Sequence, residues 1–196
     1  MLAIIDYGTG NLRSVEKAFE SLGHDVLVTS DKKQMKACEK LVLPGVGAFG
    51  DCMNYLREKG LDKFIIEWVN GGRPYLGICL GMQILFDSSS EQGEYRGLGI
   101  IKGTVERFSD DVKVPQIGWN LVKFNGKASF ETSNSYYYFV HSYYCRPENE
   151  AVKWAETTYG ISYCAGLIKD NLMVVQFHPE KSSKAGLELL DNYARS

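Results

Sequence analysis

Two periodicities of apolar residues divide this 196-residue chain near its middle. Residues 2–7 form a mostly apolar, β-prone run that predicts a first strand. Leu12, Val15, Phe19 and Leu22 then fall at the spacing of one helix face, so a helix is expected over about 11–22, with Gly23 as its stop. A second strand follows over 25–29, a short helix after Asp31, and a third strand over 40–43 closed by Pro44. Helical spacing returns around 52–57 and over 61–70, where Leu61, Phe64, Ile65 and Trp68 share a face, and Gly71-Gly72 ends it. The run Tyr75-Leu76-Gly77-Ile78-Cys79 reads as a fourth strand, with helical text after Gly81 in Met82, Ile84, Leu85 and Phe86. Alternating strands and helices imply a parallel sheet covered on both faces.

The second half changes period. Runs over 99–108, 114–124, 136–145, 152–158, 163–168 and 173–177 read as strands, with turn signals at Asn125-Gly126 and Lys169-Asp170-Asn171. Their short spacing predicts antiparallel strands added to the parallel core, and a helix over roughly 183–194 closes the chain. The expected fold class is therefore α/β, a parallel central sheet flanked by helices with antiparallel additions, in a single domain spanning 1–196. No repeat, low-complexity tract or linker interrupts it.

A formal net charge of −2 offers no attraction for nucleic acid or an anionic membrane surface, so neither is expected as a partner. No apolar run approaches the ~20 residues of a membrane span. The first residues lack a basic region and read as a strand, not a leader. Five cysteines, an odd number without a C-x-x-C pair, argue against a disulfide framework or a zinc site, and a reducing cytoplasm is the expected location.

One of those cysteines stands apart. Gly77-Ile78-Cys79-Leu80-Gly81 ends a predicted strand and opens a helix, the pattern of a nucleophile elbow. Its glycines allow a tight turn that lifts the sulfur out of the sheet, and the helix start directs amides at it. The bland alternative is a buried core cysteine between packing glycines. A cysteine nucleophile needs a base and a group to orient that base. Of the three histidines, His178 closes the strand 173–177 and opens His178-Pro179-Glu180. Alternation along an extended chain would turn His178 and Glu180 toward one site. His141, in an aromatic strand, is the rival base, and His24 reads as an exposed turn residue.

A developing oxyanion needs donors as well. The backbone N–H of Leu80 is one, and Pro44-Gly45-Val46-Gly47 at the end of the third strand can turn further amides inward. The same stretch matches G-x-G-x-x-G, but a dinucleotide site would want an acid at a strand end about 20 residues on. Asp62 and Glu67 instead fall within a helical pattern. Phosphatase chemistry lacks its arginine five residues beyond Cys79.

With Pro-Gly-Val-Gly, Gly-Ile-Cys-Leu-Gly-Met-Gln and His-Pro-Glu in this order, the chain resembles the class I, triad-type glutamine amidotransferases. Asp6-Tyr7-Gly8-Thr9-Gly10-Asn11-Leu12, Ile117-Gly118-Trp119-Asn120, Tyr138-Phe139-Val140-His141-Ser142 and Phe177-His178-Pro179-Glu180-Lys181-Ser182 narrow the likeness to the glutaminase subunits of imidazole glycerol phosphate synthase. The resemblance implies that family's three-layer fold and the hydrolysis of L-glutamine to glutamate and ammonia. In it Cys79 is the nucleophile, His178 the acid–base and Glu180 its orienter. Val46, Gly47 and Leu80 surround the oxyanion, and Gln83, Glu91, Ser142 and Tyr143 hold the substrate's amino-acid end. It further implies a heterodimer with a (β/α)8-barrel cyclase, which uses the ammonia to make imidazole glycerol phosphate and an aminoimidazole carboxamide ribotide. Asn11, Arg13, Trp119, Asn120, Tyr138 and Lys181 match interface and gating positions, and no cofactor or metal is called for.

Other readings remain open at this point. The same glutaminase chemistry serves synthases of amidino sugars for surface polysaccharides. The glutaminase subunit of pyridoxal phosphate synthase fits less well, because it does not account for the Asp-Tyr-Gly and Gly-Trp-Asn motifs. A non-catalytic binding subunit that keeps the elbow as a scaffold would leave Cys79, His178 and Glu180 without a purpose.

Overall fold

The computed structural model describes residues 1–8, 11–130 and 132–196, so Thr9 and Gly10 of the N-terminal motif lie outside the described residues. The parallel core consists of β1 (Leu2–Ile5), β2 (Val26–Thr29), β3 (Lys40–Gly45), β4 (Tyr75–Cys79) and β13 (Leu172–Val175) in the spatial order β2-β1-β3-β4-β13. Each of these strands runs parallel to its neighbours in that order. Beyond β13 the sheet continues antiparallel through β12 (Ile161–Lys169), β10 (Tyr143–Pro147) and β7 (Ile101–Arg107). It then ends in β5 (Phe86–Ser89) and β6 (Tyr95–Arg96). A branch through β11 (Lys153–Tyr159) carries β8 (Gln116–Phe124) and β9 (Ser135–His141).

Alternation along the core strands feeds two separate apolar layers. Ala3, Leu41, Leu43 and Tyr75 face one side, while Ile4, Val42, Leu76 and Ile78 face the other. On the first side, α3 (Phe49–Glu58) and α4 (Leu61–Asn70) contribute Phe49, Met53, Leu56, Phe64, Ile65 and Trp68. On the second, α1 (Leu12–Ser21) and α6 (Ser183–Arg195) contribute Val15, Phe19, Leu189, Leu190 and Tyr193. Each fully buried side chain of this kind contributes about 1.5–3 kcal/mol, which explains why these strands are apolar throughout and not alternating. A short helix, α2 (Lys32–Lys36), is capped by the Asp31 side chain accepting from the Lys33 N–H.

The structure departs from the sequence expectation in three places. The helix after Cys79 is one turn, α5 (Leu80–Gln83), and Phe86 opens a strand instead of extending the helix. Its carbonyl outlets are taken from outside: Leu98 N–H donates to Ile84 O, and the N–H groups of Ile100 and Ile101 donate to Leu85 O. The run 136–145 is two strands, because Ser142 breaks it; its carbonyl accepts from Phe108 N–H while β9 pairs with β8 and β10 with β7. His24 is half-buried, with Nε2 2.7 Å from Asp191 Oδ1, and is not the exposed turn residue expected. Among the described residues, no helix is long and apolar enough to cross a membrane.

Candidate active site

The parallel register brings distant residues to one edge. Gly45 at the end of β3 is paired with Cys79 at the end of β4, and Val175 of β13 with Ile78. The chain after each strand therefore emerges at the carboxyl end of the sheet, where open α/β sheets place their sites. Cys79 itself has φ 54° and ψ −106°, a strained conformation for a residue with a side chain. A Cβ at Gly81 would overlap the Leu43 carbonyl oxygen, and one at Gly77 would overlap the Gly81 carbonyl. These two glycines are required because the elbow packs directly onto the β3 backbone and onto itself. The result is a cysteine at 6% exposure, immediately before the first residue of α5, Leu80.

His178 and Glu180 meet as expected, by a different route. Residues Pro179–Lys181 form a 3-10 turn, so a tight turn and not strand alternation brings the carboxylate back to the imidazole. Glu180 Oε1 lies 2.9 Å from His178 Nδ1, and their side chains are 1% and 2% exposed. The carboxylate assigns the proton on that edge to Nδ1. Among the described residues, His178 Nε2 and Glu180 Oε2 are buried without a hydrogen-bond partner. Burial by itself would lower the pKa of His178, but the charge of Cys79, followed by the hydrogen bond and charge of Glu180, outweighs it and pushes the value up to about 10. His178 is therefore held as an imidazolium against the Glu180 carboxylate.

A cavity of about 250 Å3 opens over the sulfur. Val46, Gly47, Cys79 and Leu80 line it, and so do Gln83, Glu91, Ser142 and Tyr143. The structure thus gathers all the residues expected around the oxyanion and the substrate's amino-acid end. Gly47 has φ +110°, and no atom crowds the place a Cβ would occupy. The Val46 peptide is held by Tyr7, at the end of the first strand segment: Val46 N–H donates to the hydroxyl at 3.1 Å, and the hydroxyl donates to Val46 O at 3.3 Å. Glu91 Oε2 accepts from the Phe49 N–H at 2.8 Å, capping the start of α3, and burial raises the pKa of its carboxyl. The outer glycines of the G-x-G-x-x-G string serve packing, since a Cβ at Gly45 would meet Leu80 Cβ and one at Gly50 the Tyr95 ring.

His141 lines the same cavity, but its nitrogens are engaged. Nδ1 lies 2.8 Å from the Tyr143 carbonyl and Nε2 3.1 Å from the Tyr163 hydroxyl. Burial pushes its pKa down to about 4, so the ring is neutral, with Nδ1–H donating to the carbonyl. Of the two histidines, only His178 keeps a ring nitrogen without a hydrogen-bond partner.

Trp119 and Tyr138 are directly opposite on β8 and β9, edge to face at 6.1 Å, and Lys181 Nζ lies 5.9 Å from the Tyr138 ring. Trp119 is 52% exposed, with Ile117 and Tyr136 exposed on the same hairpin. Hydrogen bonds tie this hairpin to the histidine: His178 N–H donates to Tyr138 O at 2.9 Å, and Tyr138 N–H to Ser182 Oγ at 3.0 Å. Asn120 differs from its neighbours, since Nδ2 donates to Thr158 O at 2.8 Å and Oδ1 accepts from Leu121 N–H. Asn11 precedes α1 and accepts from Ser14 Oγ, and Arg13 is exposed on that helix. Sequence reading left two contacts unassigned. One is the Tyr7 hydroxyl on Val46. The other is Gln176, whose Nε2 is 3.5 Å from Cys79 Sγ. A single amide in an otherwise apolar strand run is the signal for the latter.

Residues 3–195 match the family model described as glutamine amidotransferase class-I. The chain is 48% identical to the imidazole glycerol phosphate synthase subunit HisH of Geobacter metallireducens, over all of this chain and 98% of the relative. It is 47% identical to the subunit of the same name from Aquifex aeolicus, over 98% and 95% of the two chains. Its fold is shared with a crystal structure of a glutamine amidotransferase at TM-score 0.79 and 19% identity, covering 99% of each chain. A structure of PurLQS from Thermotoga maritima matches at TM-score 0.72 and 18% identity, covering 98% of this chain and 93% of that one.

Proposed function

Since this chain belongs to the class I glutamine amidotransferases, we propose that it is the glutaminase subunit of an imidazole glycerol phosphate synthase and works through Cys79, His178 and Glu180. The observation that carries the reading is the buried His178–Glu180 pair beside a cysteine held on a strained elbow. The Cys79 sulfur attacks the carboxamide carbon of L-glutamine, and the oxyanion forms toward the Leu80 amide and the Val46-Gly47 strand. His178 gives its Nε2 proton to the departing nitrogen, ammonia leaves, and a γ-glutamyl thioester remains. The now neutral imidazole takes a proton from water, whose oxygen attacks the thioester carbon. The tetrahedral adduct expels the sulfur, and glutamate is released. Glu180 holds the ring with Nδ1 protonated throughout. Glu91 receives the substrate's ammonium, and Gln83, Ser142 and Tyr143 complete the pocket around its amino-acid end.

The ammonia passes to a (β/α)8-barrel cyclase in a cytoplasmic heterodimer. What supports this is the full-length identity to HisH subunits and the exposed aromatic face of the β8–β9 hairpin, hydrogen-bonded to the histidine loop. On this reading Trp119, Tyr138 and Lys181 meet that partner, together with Asn11, Arg13 and Asn120. The deciding experiment measures glutamate release by the chain alone and with the histidine-pathway cyclase plus its ribulosyl nucleotide substrate. A steep rise in the full mixture establishes the assignment. No rise with a cyclase proven active on ammonia leaves the glutaminase standing and moves the partner to another synthase, the amidino-sugar enzymes first.

A further inference from the structure

The Cys79 sulfur is contacted from beneath by a residue to which no role has been given. Gln176 follows β13, is fully buried, and has its main-chain N–H bonded to Ala165 O at 2.8 Å. Its Nε2 is 3.5 Å from Cys79 Sγ, and its Oε1 is 3.1 Å from Gln83 Nε2. The orientation of this amide is dictated by a backbone group two residues away in the network. Gln83 Nε2 lies 3.0 Å from the Tyr143 carbonyl, which can only accept. The Gln83 atom there must therefore be the nitrogen, because an oxygen would face another oxygen. That NH2 group in turn requires the oxygen of Gln176, and the Gln176 nitrogen is left pointing at the sulfur. His141 Nδ1–H, donating to the same carbonyl at 2.8 Å, anchors the far end of the chain of bonds.

We propose that Gln176 is a catalytic residue that donates an N–H to the Cys79 sulfur, stabilising the thiolate and fixing its direction toward the cavity. The inference rests on the reading of Cys79 as the nucleophile. A buried donor to an anion is worth more than one to a neutral group, and a hydrogen bond to the charged form favours that form. His178 acts on the sulfur as a charge that comes and goes with proton transfer. Gln176 keeps its proton, so it stabilises the sulfur equally when the thiolate attacks and when it is expelled from the thioester. Gln83 supports it as a positioning residue from the cavity wall.

Two substitutions separate this role from simple packing. Gln176→Glu keeps the oxygen that Gln83 requires and exchanges only the N–H for an oxygen, whereas Gln176→Met removes both polar groups at similar size. The readout is the pH dependence of Cys79 alkylation by iodoacetamide in the full chain, followed at the Cys79 peptide by mass spectrometry, with thermal unfolding as control. Loss of the donor raises the alkylation midpoint by about one pH unit and slows alkylation at pH 7 by about tenfold, more for the glutamate once it ionises. In the unmodified chain, the Gln176 side-chain amide protons should titrate with Cys79 and shift on its alkylation in 15N-resolved NMR spectra. Amide protons that ignore both events overturn the proposal, as do variants with the parental alkylation profile, whatever their stability. Neither assay reads glutamine turnover. A chain that responds as described but hydrolyses no glutamine therefore counts against the glutaminase reading, and an active glutaminase without the response counts against Gln176 alone.

Discussion

The Tyr7 hydroxyl grips both ends of one residue: it accepts from the Val46 N–H at 3.1 Å and donates to the Val46 carbonyl at 3.3 Å. In this arrangement the Val46 amide is spent on a side chain. Tyr7→Phe removes both bonds. The expected cost is about 1–3 kcal/mol of stability, twice the net worth of a single hydrogen bond, read by urea denaturation. The freed peptide is expected to raise the chain's own glutamine hydrolysis several-fold. A lower rate instead would mean that the strand works with Val46 bound to Tyr7 and that Gly47 and Leu80 supply the donors.

Cys79→Ala should abolish glutamine-dependent synthesis by the complex, by at least about a thousandfold, while synthesis from added ammonia continues at the parental rate. The proposed function puts the cyclase chemistry on the other chain, so losing both activities would make the role of Cys79 structural.

Glu180→Gln takes the carboxylate from His178 Nδ1, 2.9 Å away, and replaces it with an amide that no longer enforces the tautomer. Turnover should fall about a hundredfold or more, whereas covalent labelling of Cys79 by a glutamine-analogue electrophile stays detectable. Full turnover in this variant would remove Glu180 from the mechanism.

Acid should destabilise the fold through His141. Its pKa is depressed in the folded protein, to about 4 from the ordinary 6.5, so the unfolded chain binds the proton first as pH falls. The stability this neutral ring confers is present above pH 6.5 and declines toward pH 4, by about 3 kcal/mol in all. His178 has the opposite sign: its pKa is raised to about 10, so its contribution is complete below pH 6.5 and fades as pH rises toward 10. Urea titrations of the parent and His141→Gln between pH 7 and 4.5 check the first window. The variant should start less stable and lose less on acidification; parallel losses would acquit His141.

Three of the interface candidates should split into two groups. Trp119→Ala and Lys181→Ala are expected to reduce cyclase-dependent stimulation several-fold with little change in thermal unfolding, because Trp119 is 52% exposed and Lys181 lies over a ring at the surface of the hairpin. Asn120→Ala should instead cost about 1 kcal/mol of stability, since its amide bonds Thr158 O and its oxygen bonds Leu121 N–H. Equal effects on stimulation from all three would reunite them at the interface.

Local chemistry was legible in the linear text. The strands of the parallel core, the elbow around Cys79 and the His178-Pro179-Glu180 string follow from patterns a few residues long, set by apolar burial on both faces of a sheet and by glycines that the turn requires. The helix over Leu61–Asn70 stands within its expected limits because its face and its stop are both local. The strands Phe86–Ser89 and Tyr95–Arg96 were not legible, since carbonyl acceptance by residues 98–101 and pairing across the sheet create them. Nor was the break at Ser142, where two different strands, β8 and β7, claim the two halves of one aromatic run.

The sequence by itself determined where the elbow cysteine, the His-Pro-Glu string and the glycine-rich loop stand in the chain. Only the tertiary structure decided how they are held: Tyr7 on Val46, Gln176 beneath the sulfur, Glu91 on the start of α3, and His141 locked as a neutral wall. Each of these contacts except the last spans 39 or more residues. They depend on which buried donor finds which acceptor once the parallel register is set. A hydrogen bond has no periodicity to betray it in advance, whereas a buried face does.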